Sequence, residues 1–211
     1  MDLRLPTDLL PRTDAEPASA KRAQIERDVL QAVDDLLRGG ARWNDLSIER
    51  IATAAGISRT AFYFYFRDKR ELLMRLVVGV SDEVMKASVW FSQPPDTDDP
   101  DLLRQALLFV RDVFTAHGEL LRAVVEVSAV DEQVATFFRD LQATFAQLTA
   151  ERALALRDAK RARPIEPADV TGSALMAMTE KTFYEWQVRG TEVSDAHIDA
   201  LAEVWRRAIY G

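Results

Sequence analysis

Three helix-start signals fall within twenty-two residues: Ser47, Ser58 and Asp68, each an N-cap residue type, stand eleven and ten positions apart. An N-cap side chain accepts from the first free backbone N–H groups of a helix, so each segment between consecutive caps is held to about two turns. Ala55-Gly56-Ile57 separates the first two caps, and a glycine at positive φ lets the second helix leave at a sharp angle to the first. Two short capped helices joined by a glycine turn make a helix-turn-helix. Asp68 with Glu71 reads as a D-x-x-E capping box. It stands directly before Leu72, Leu73, Leu76 and Val77 and opens a long helix expected to reach about Ser92.

The rest of the chain repeats apolar residues at three- and four-residue steps, the helical period. Ile25, Val29, Ala32, Val33 and Leu36 mark a first helix from Ala20, stopped by Gly39-Gly40. Pro94, Pro95 and Pro100, interleaved with Asp96, Asp98 and Asp99, form a loop before a helix from Asp101 to about Ala116. A short helix over Glu119–Val127 and a long one from about Asp131 to Ala162 follow, the latter ended by Pro164 and Pro167. Two more, about 167–189 and 194–210, are separated by Gly190. With no strand pattern or repeat, the expected fold is all-α with about nine helices. Residues 1–19, rich in proline and mixed charge, read as a flexible lead; 20–67 form the helix-turn-helix domain and 68–211 a larger helical domain.

Charge placement bears on partners. The formal net charge of −7 opposes non-specific binding of nucleic acid by the whole molecule. Yet residues 21–70 carry ten Lys and Arg against seven acids, whereas residues 71–211 carry fifteen against twenty-three. A small basic module joined to an acidic one suits a protein that meets a polyanion at one end. The absence of cysteine and the eighty-residue separation of the two histidines exclude disulfides and thiolate-ligated metal. No cofactor is expected, and a reduced, cytoplasmic setting fits. No window approaches the roughly 18 apolar residues of a membrane span, so no membrane association is expected.

Five consecutive aromatic residues, Phe62 to Phe66, sit among Arg59, Arg67, Lys69 and Arg70. Aromatic runs favour strands, but this one lies between an N-cap and a capping box, which leaves no partner strand. On a short helix Phe62 and Phe66 are spaced i,i+4 and point inward, while Tyr63 and Phe64 point outward and Tyr65 falls in the turn. Exposed rings beside basic heads suit contact with a phosphate backbone, and Arg59 at the helix start suits the O6 and N7 acceptors of guanine. The competing reading makes all five rings core of a small domain.

From Ile51 through Leu73 the segment IATAAGISRTAFYFYFRDKRELL resembles the DNA-binding domain of the TetR/AcrR family of bacterial transcriptional regulators. One departure is Ala61, where relatives commonly carry Thr or Ser. The resemblance implies that Arg59, Thr60, Tyr63, Phe64 and Tyr65 meet a double-stranded DNA operator, that Lys69 reaches a phosphate, and that Phe62 and Phe66 stay inside. It implies a homodimer reading a near-palindrome, with repression as the default outcome. It also implies that the C-terminal helices form a pocket for a small apolar or amphipathic effector.

The acidic remainder offers residues for both roles. Leu103, Leu107, Val110 and Phe114 line one helix face; Phe138, Leu141, Phe145 and Leu148 line another. Met176, Thr179 and Phe183 line a third. Periodicity alone makes these core; the resemblance makes them pocket lining, oriented by Gln142, Thr149, Thr179 and Glu180. Ile198, Leu201, Ala202, Trp205 and Ile209 form an apolar stripe on the last helix. With Gly172, Ser173 and Ala174 permitting close approach on the preceding helix, the stripe suits a four-helix dimer seam or a fold-back onto the chain's own core. An enzyme using Glu126, Glu180 and His117, or a protein-binding scaffold, are the other classes; no metal spacing, nucleophile motif or phosphate loop supports catalysis.

Overall fold

The computed structural model describes residues 20–97, 99 and 101–211; the lead read over 1–19 lies outside the described residues. Among these there are ten α-helices and no strand. In order they are α1 (Ala20–Arg38), α2 (Ile48–Ala54), α3 (Arg59–Tyr65), α4 (Lys69–Ala87), α5 (Val89–Ser92), α6 (Asp101–Ala116), α7 (Gly118–Ser128), α8 (Glu132–Asp158), α9 (Ala168–Arg189) and α10 (Asp195–Tyr210). Two 3-10 turns, Trp43–Asp45 and Pro95–Thr97, supplement them. The all-α expectation holds. By contacts the described chain divides into two compact units, residues 20–80 with 116–138 and residues 81–115 with 139–211.

In the first unit α1 packs on α2, α3 and α7. Its buried face is Val29, Val33 and Leu37; Ile25, Ala32 and Leu36 are only partly buried. The core-facing stripe is thus turned slightly from the one read in the sequence. Glu71, 1% exposed, is held by three donors: Arg67 N at 2.9 Å, Arg67 Nε at 3.1 Å and Arg75 Nη2 at 2.7 Å. Arg75 in turn reaches Glu26 of α1 at 3.1 Å. Asp68 caps α4 by accepting from Glu71 N at 2.9 Å. The capping box is displaced by one residue, because Glu71 answers the N–H of Arg67 rather than that of Asp68. His117 precedes α7 and is buried against α1, its Nδ1 2.8 Å from Asp34 Oδ1 and its Nε2 3.1 Å from Arg38 Nη2. A guanidinium only donates, so Nε2 accepts and Nδ1 carries the proton toward Asp34.

The second unit is organised around two tryptophans. Trp90 and Trp205 are 1% and 3% exposed and meet edge to face with ring centroids 6.0 Å apart. Each indole N–H is bonded inside, Trp90 to Tyr210 Oη at 3.0 Å and Trp205 to Thr179 Oγ1 at 2.8 Å. The long helix expected from Asp68 to Ser92 breaks at Ser88, whose φ −77° and ψ 87° are not helical, so that α5 can turn Trp90 into this core. α8 stops at Asp158 rather than near Ala162. Lys160 adopts φ 60°, Lys160 N bonds Arg157 O and Arg161 N bonds Leu156 O, a left-handed helix stop without glycine. α8 and α9 approach closely at Gly172, where an added Cβ would lie 2.6 Å from the Ala146 carbonyl oxygen.

Candidate nucleic-acid interface

The frame of the helix-turn-helix is made by local hydrogen bonds. Ser47 Oγ accepts from Arg50 N at 3.2 Å and Ser58 Oγ from Ala61 N at 3.0 Å, as both caps were expected to. Between them α2 closes in a Schellman turn: Ile57 N donates to Ala52 O at 2.9 Å and Gly56 N to Thr53 O at 3.1 Å, with Gly56 at φ 67°. Phe66 leaves the helix in an extended conformation, φ −134° and ψ 128°, and Lys69 starts α4 three residues later.

The aromatic run divides by face. Phe62 and Phe66 are 0% and 1% exposed with ring centroids 5.3 Å apart. Tyr63 and Phe64 are 46% and 72% exposed, which rules out the reading that all five rings are core. Tyr65 ends α3, half-buried, with the Arg22 guanidinium 5.9 Å from its ring centroid. Arg59 and Thr60 are exposed on the first turn of α3. Arg59 pairs across the turn with Glu49 of α2; hydrogen bonding with Tyr63 and then the Glu49 charge raise its pKa above the usual arginine value. Lys69 is half-buried: its ammonium donates to the Trp43 carbonyl and lies 4.6 Å from the Trp43 ring centroid. Burial pushes its pKa down, opposed by Asp45. The sequence pattern does not disclose Trp43, whose 3-10 turn follows no cap signal, or Glu49, which reaches Arg59 only because Gly56 bends the chain.

The residues read as effector pocket are drawn together only in part. Leu103, Leu107 and Phe183 lie in the core of the second unit, with Val110, Phe114 and Met176 partly buried against it. Leu141 is buried, and Phe145 is partly so. Phe138 belongs to the first unit and is only partly buried; its neighbour Phe137 takes the interior position at 4%. Two of the expected orienting hydroxyls are engaged in the fold: Thr149 donates to Phe145 O at 2.9 Å, and Thr179 accepts from Trp205. Gln142 donates to Glu180 at 2.6 Å, and burial raises the Glu180 pKa, opposed by Gln142 and then Lys181.

The stripe offered as a dimer seam is corrected. Ile198, Leu201, Ala202, Trp205 and Ile209 are all 9% exposed or less within the single chain and belong to the same core as Trp90 and Leu107. The fold-back alternative is the one realised, because the stripe is covered by the chain's own aromatic side chains. Gly172 likewise serves the α8–α9 approach, while Ser173 and Ala174 face outward. Among the described residues no group of His, Asp or Glu could hold a metal, and no helix is long and apolar enough to cross a membrane.

Residues 103–211 match the family described as transcriptional regulator EthR, C-terminal domain, and residues 43–76 match bacterial regulatory proteins, tetR family. The chain is 30% identical over 207 residues to the HTH-type transcriptional regulator EthR of Mycobacterium tuberculosis H37Rv, across 95% of this chain and 92% of that protein. It is 24% identical over 205 residues to the regulator of the same name from Mycolicibacterium smegmatis, across 95% and 91%. Its fold is similar to that of a TetR-family transcriptional regulator from Mesorhizobium loti, with a TM-score of 0.72 and 20% identity, covering 90% of this chain and 98% of the other. The chain belongs to the tetR family of bacterial regulatory proteins, and is a DNA-binding transcriptional regulator of the helix-turn-helix kind.

Proposed function

We propose that the chain is a cytoplasmic, homodimeric repressor that reads a near-palindromic operator through α3 and is released by a small apolar or amphipathic effector. The observation that carries the operator reading is the exposure of Tyr63 and Phe64 beside Arg59 and Thr60, on a helix whose other face is fixed by Phe62 and Phe66. Exposed rings of this size mark a binding surface. Lys69 remains a phosphate contact in this reading: an ammonium has three donors, and the Trp43 carbonyl occupies one. Functionally, residues 20–67 form the DNA-binding domain and 68–211 the effector and dimer domain.

With the α10 stripe inside, the dimer is assigned to the outer face of the last two helices. Val170 and Val204 are 58% and 47% exposed there, with exposed Ala174 and Ala177 on α9 and Ala200 on α10 at helical spacing. The effector is assigned to the part of the second unit carrying Val110, Phe114, Met176 and the Gln142–Glu180 pair. An effector shifts DNA affinity only by its differential affinity for the two states, so a coupling of about 1 to 3 kcal/mol is expected. Acid–base catalysis by Glu126, Glu180 and His117 is disfavoured, since His117 is engaged by Asp34 and Arg38 and Glu180 by Gln142.

Selection of bound duplexes from a random library tests the operator reading. A motif of two half-sites about 34 to 36 Å apart is expected. Arg59→Ala should relax preference at one base position by about 1 to 3 kcal/mol, and Tyr63→Ala should weaken all duplexes alike. Recovery of no enriched motif would sink it. Val204→Glu with Val170→Glu should give monomers by sedimentation, and a dimer that persists would remove that face from the seam.

A further inference from the structure

We propose that Glu49 is a specificity-determining residue of the DNA contact, acting through Arg59: it holds that guanidinium ready for a base edge and opposes its capture by phosphates. The inference rests on the operator reading above, in which Arg59 is the base-reading cation. Glu49 is the only acid between Leu46 and Arg67, a stretch that carries three arginines. It stands in the first turn of α2 and reaches across the Gly56 turn to pair with Arg59 Nη1, ten positions on. Tyr63, one turn further along α3, hydrogen bonds with the same head.

The fold has little need of this pair. The Arg59 and Glu49 side chains are 60% and 53% exposed, and an exposed ion pair stabilises a protein only slightly. The angle between α2 and α3 is already fixed by the Schellman turn and by the Ser47 and Ser58 caps. A first-turn acid also favours the dipole of its own helix, but that role requires no partner on the next one. On a surface that approaches a polyanion, moreover, a carboxylate weakens the contact with every duplex. The gain that offsets this loss is discrimination, because specificity is a difference between affinities.

The donor geometry allows both tasks at once. A guanidinium presents five N–H donors in a rigid fork. Glu49 takes one on Nη1 and Tyr63 engages another, which leaves enough for the O6 and N7 acceptors of a guanine edge. An arginine held from two sides has less rotamer freedom to lose on docking. A phosphate offers Arg59 no such arrangement: it must draw the head toward the DNA backbone and away from Glu49, and it meets the Glu49 charge as it does so.

The test is anisotropy titration of the full chain, at several salt concentrations, with the duplex that library selection returns, each single-base variant of it and a scrambled duplex. Glu49→Gln keeps the size of the side chain and an acceptor oxygen but drops the charge. It should bind the scrambled duplex about three- to tenfold more tightly, with the slope of log affinity against log salt steeper by about 1. Its preference at the base read by Arg59 should fall about three- to tenfold, while the denaturation midpoint barely moves. Glu49→Asp restores the charge and should return the scrambled duplex to weak binding. In an Arg59→Ala background, Glu49→Gln should alter no base preference. Discrimination and salt slope unmoved in Glu49→Gln, with Arg59→Ala still relaxing one base position, would overturn the proposal and spare the operator reading. A loss of base preference from Glu49→Gln that persists without Arg59 would do the same. No enriched motif, or an Arg59→Ala variant with unchanged preference, would sink both.

Discussion

In the run that ends just past α3 two of five consecutive rings are buried and two face solvent, whereas in the second unit Trp90, Phe183 and Trp205 are all buried and the N–H groups of Trp90 and Trp205 are bonded inside. The two clusters teach different things about an aromatic side chain. Where a ring's polar edge is satisfied within the fold, the ring serves packing, and its apolar area is withdrawn from water. Where the ring is left to solvent beside an arginine, the fold gains little from it and a partner must account for it.

The largest expected effect separates the clusters directly. Trp205→Ala removes a buried ring and strips Thr179 of its donor, and should cost about 3 to 5 kcal/mol in chemical denaturation; Phe64→Ala should cost about 0.5 kcal/mol or less. Comparable losses in the two variants would erase the distinction. Next is the buried carboxylate of the first unit. Glu71→Ala leaves Arg75 with Glu26 alone and the Arg67 N–H without its acceptor, and should cost about 2 to 3 kcal/mol, and a neutral result would mean that the network is solvated.

Smaller effects sharpen the comparison on the exposed side. Ser58→Ala should cost about 1 kcal/mol and Ser58→Gly only a few tenths, with faster hydrogen exchange confined to the start of α3. The smallest is electrostatic. Glu203 is held down to about 2 by hydrogen bonds from Arg206 and then Arg207. Its folded pKa lies below the ordinary carboxylate value, so its contribution is present above that value and lost as pH falls through about 2. Exposure makes the contribution slight, and Glu203→Gln should leave the neutral-pH midpoint nearly unchanged while removing one low-pH carboxyl titration by NMR.

Residues whose partners lie within a few positions were legible in the sequence. Ser47, Ser58 and Gly56 announce their own bonds, and the i,i+4 spacing of Phe62 and Phe66 announces their burial. The cover of the α10 stripe was not, because Trp90 meets Trp205 only after the chain has returned across more than a hundred residues. Lys160 gives no warning of a left-handed stop, since only context makes a lysine accept φ 60°. Ser88 looks helical until Trp90 needs a place inside. The hydroxyls of Thr149 and Thr179 read as free polar groups for a ligand, yet a carbonyl one turn back and an indole from another helix take them.

The Schellman turn at Gly56 has a bearing on how such a regulator can change its target. The angle between α2 and α3 is set by backbone bonds to Ala52 and Thr53 and by the Ser47 and Ser58 hydroxyls, none of which belongs to the exposed positions Arg59, Thr60, Tyr63 and Phe64. Frame and reader are therefore separately mutable. A lineage, or a designer, can exchange the outward residues one at a time and explore new operators from a scaffold that keeps its geometry. A side chain introduced at position 56 would strain the turn at φ 67° and misaim every reader at once.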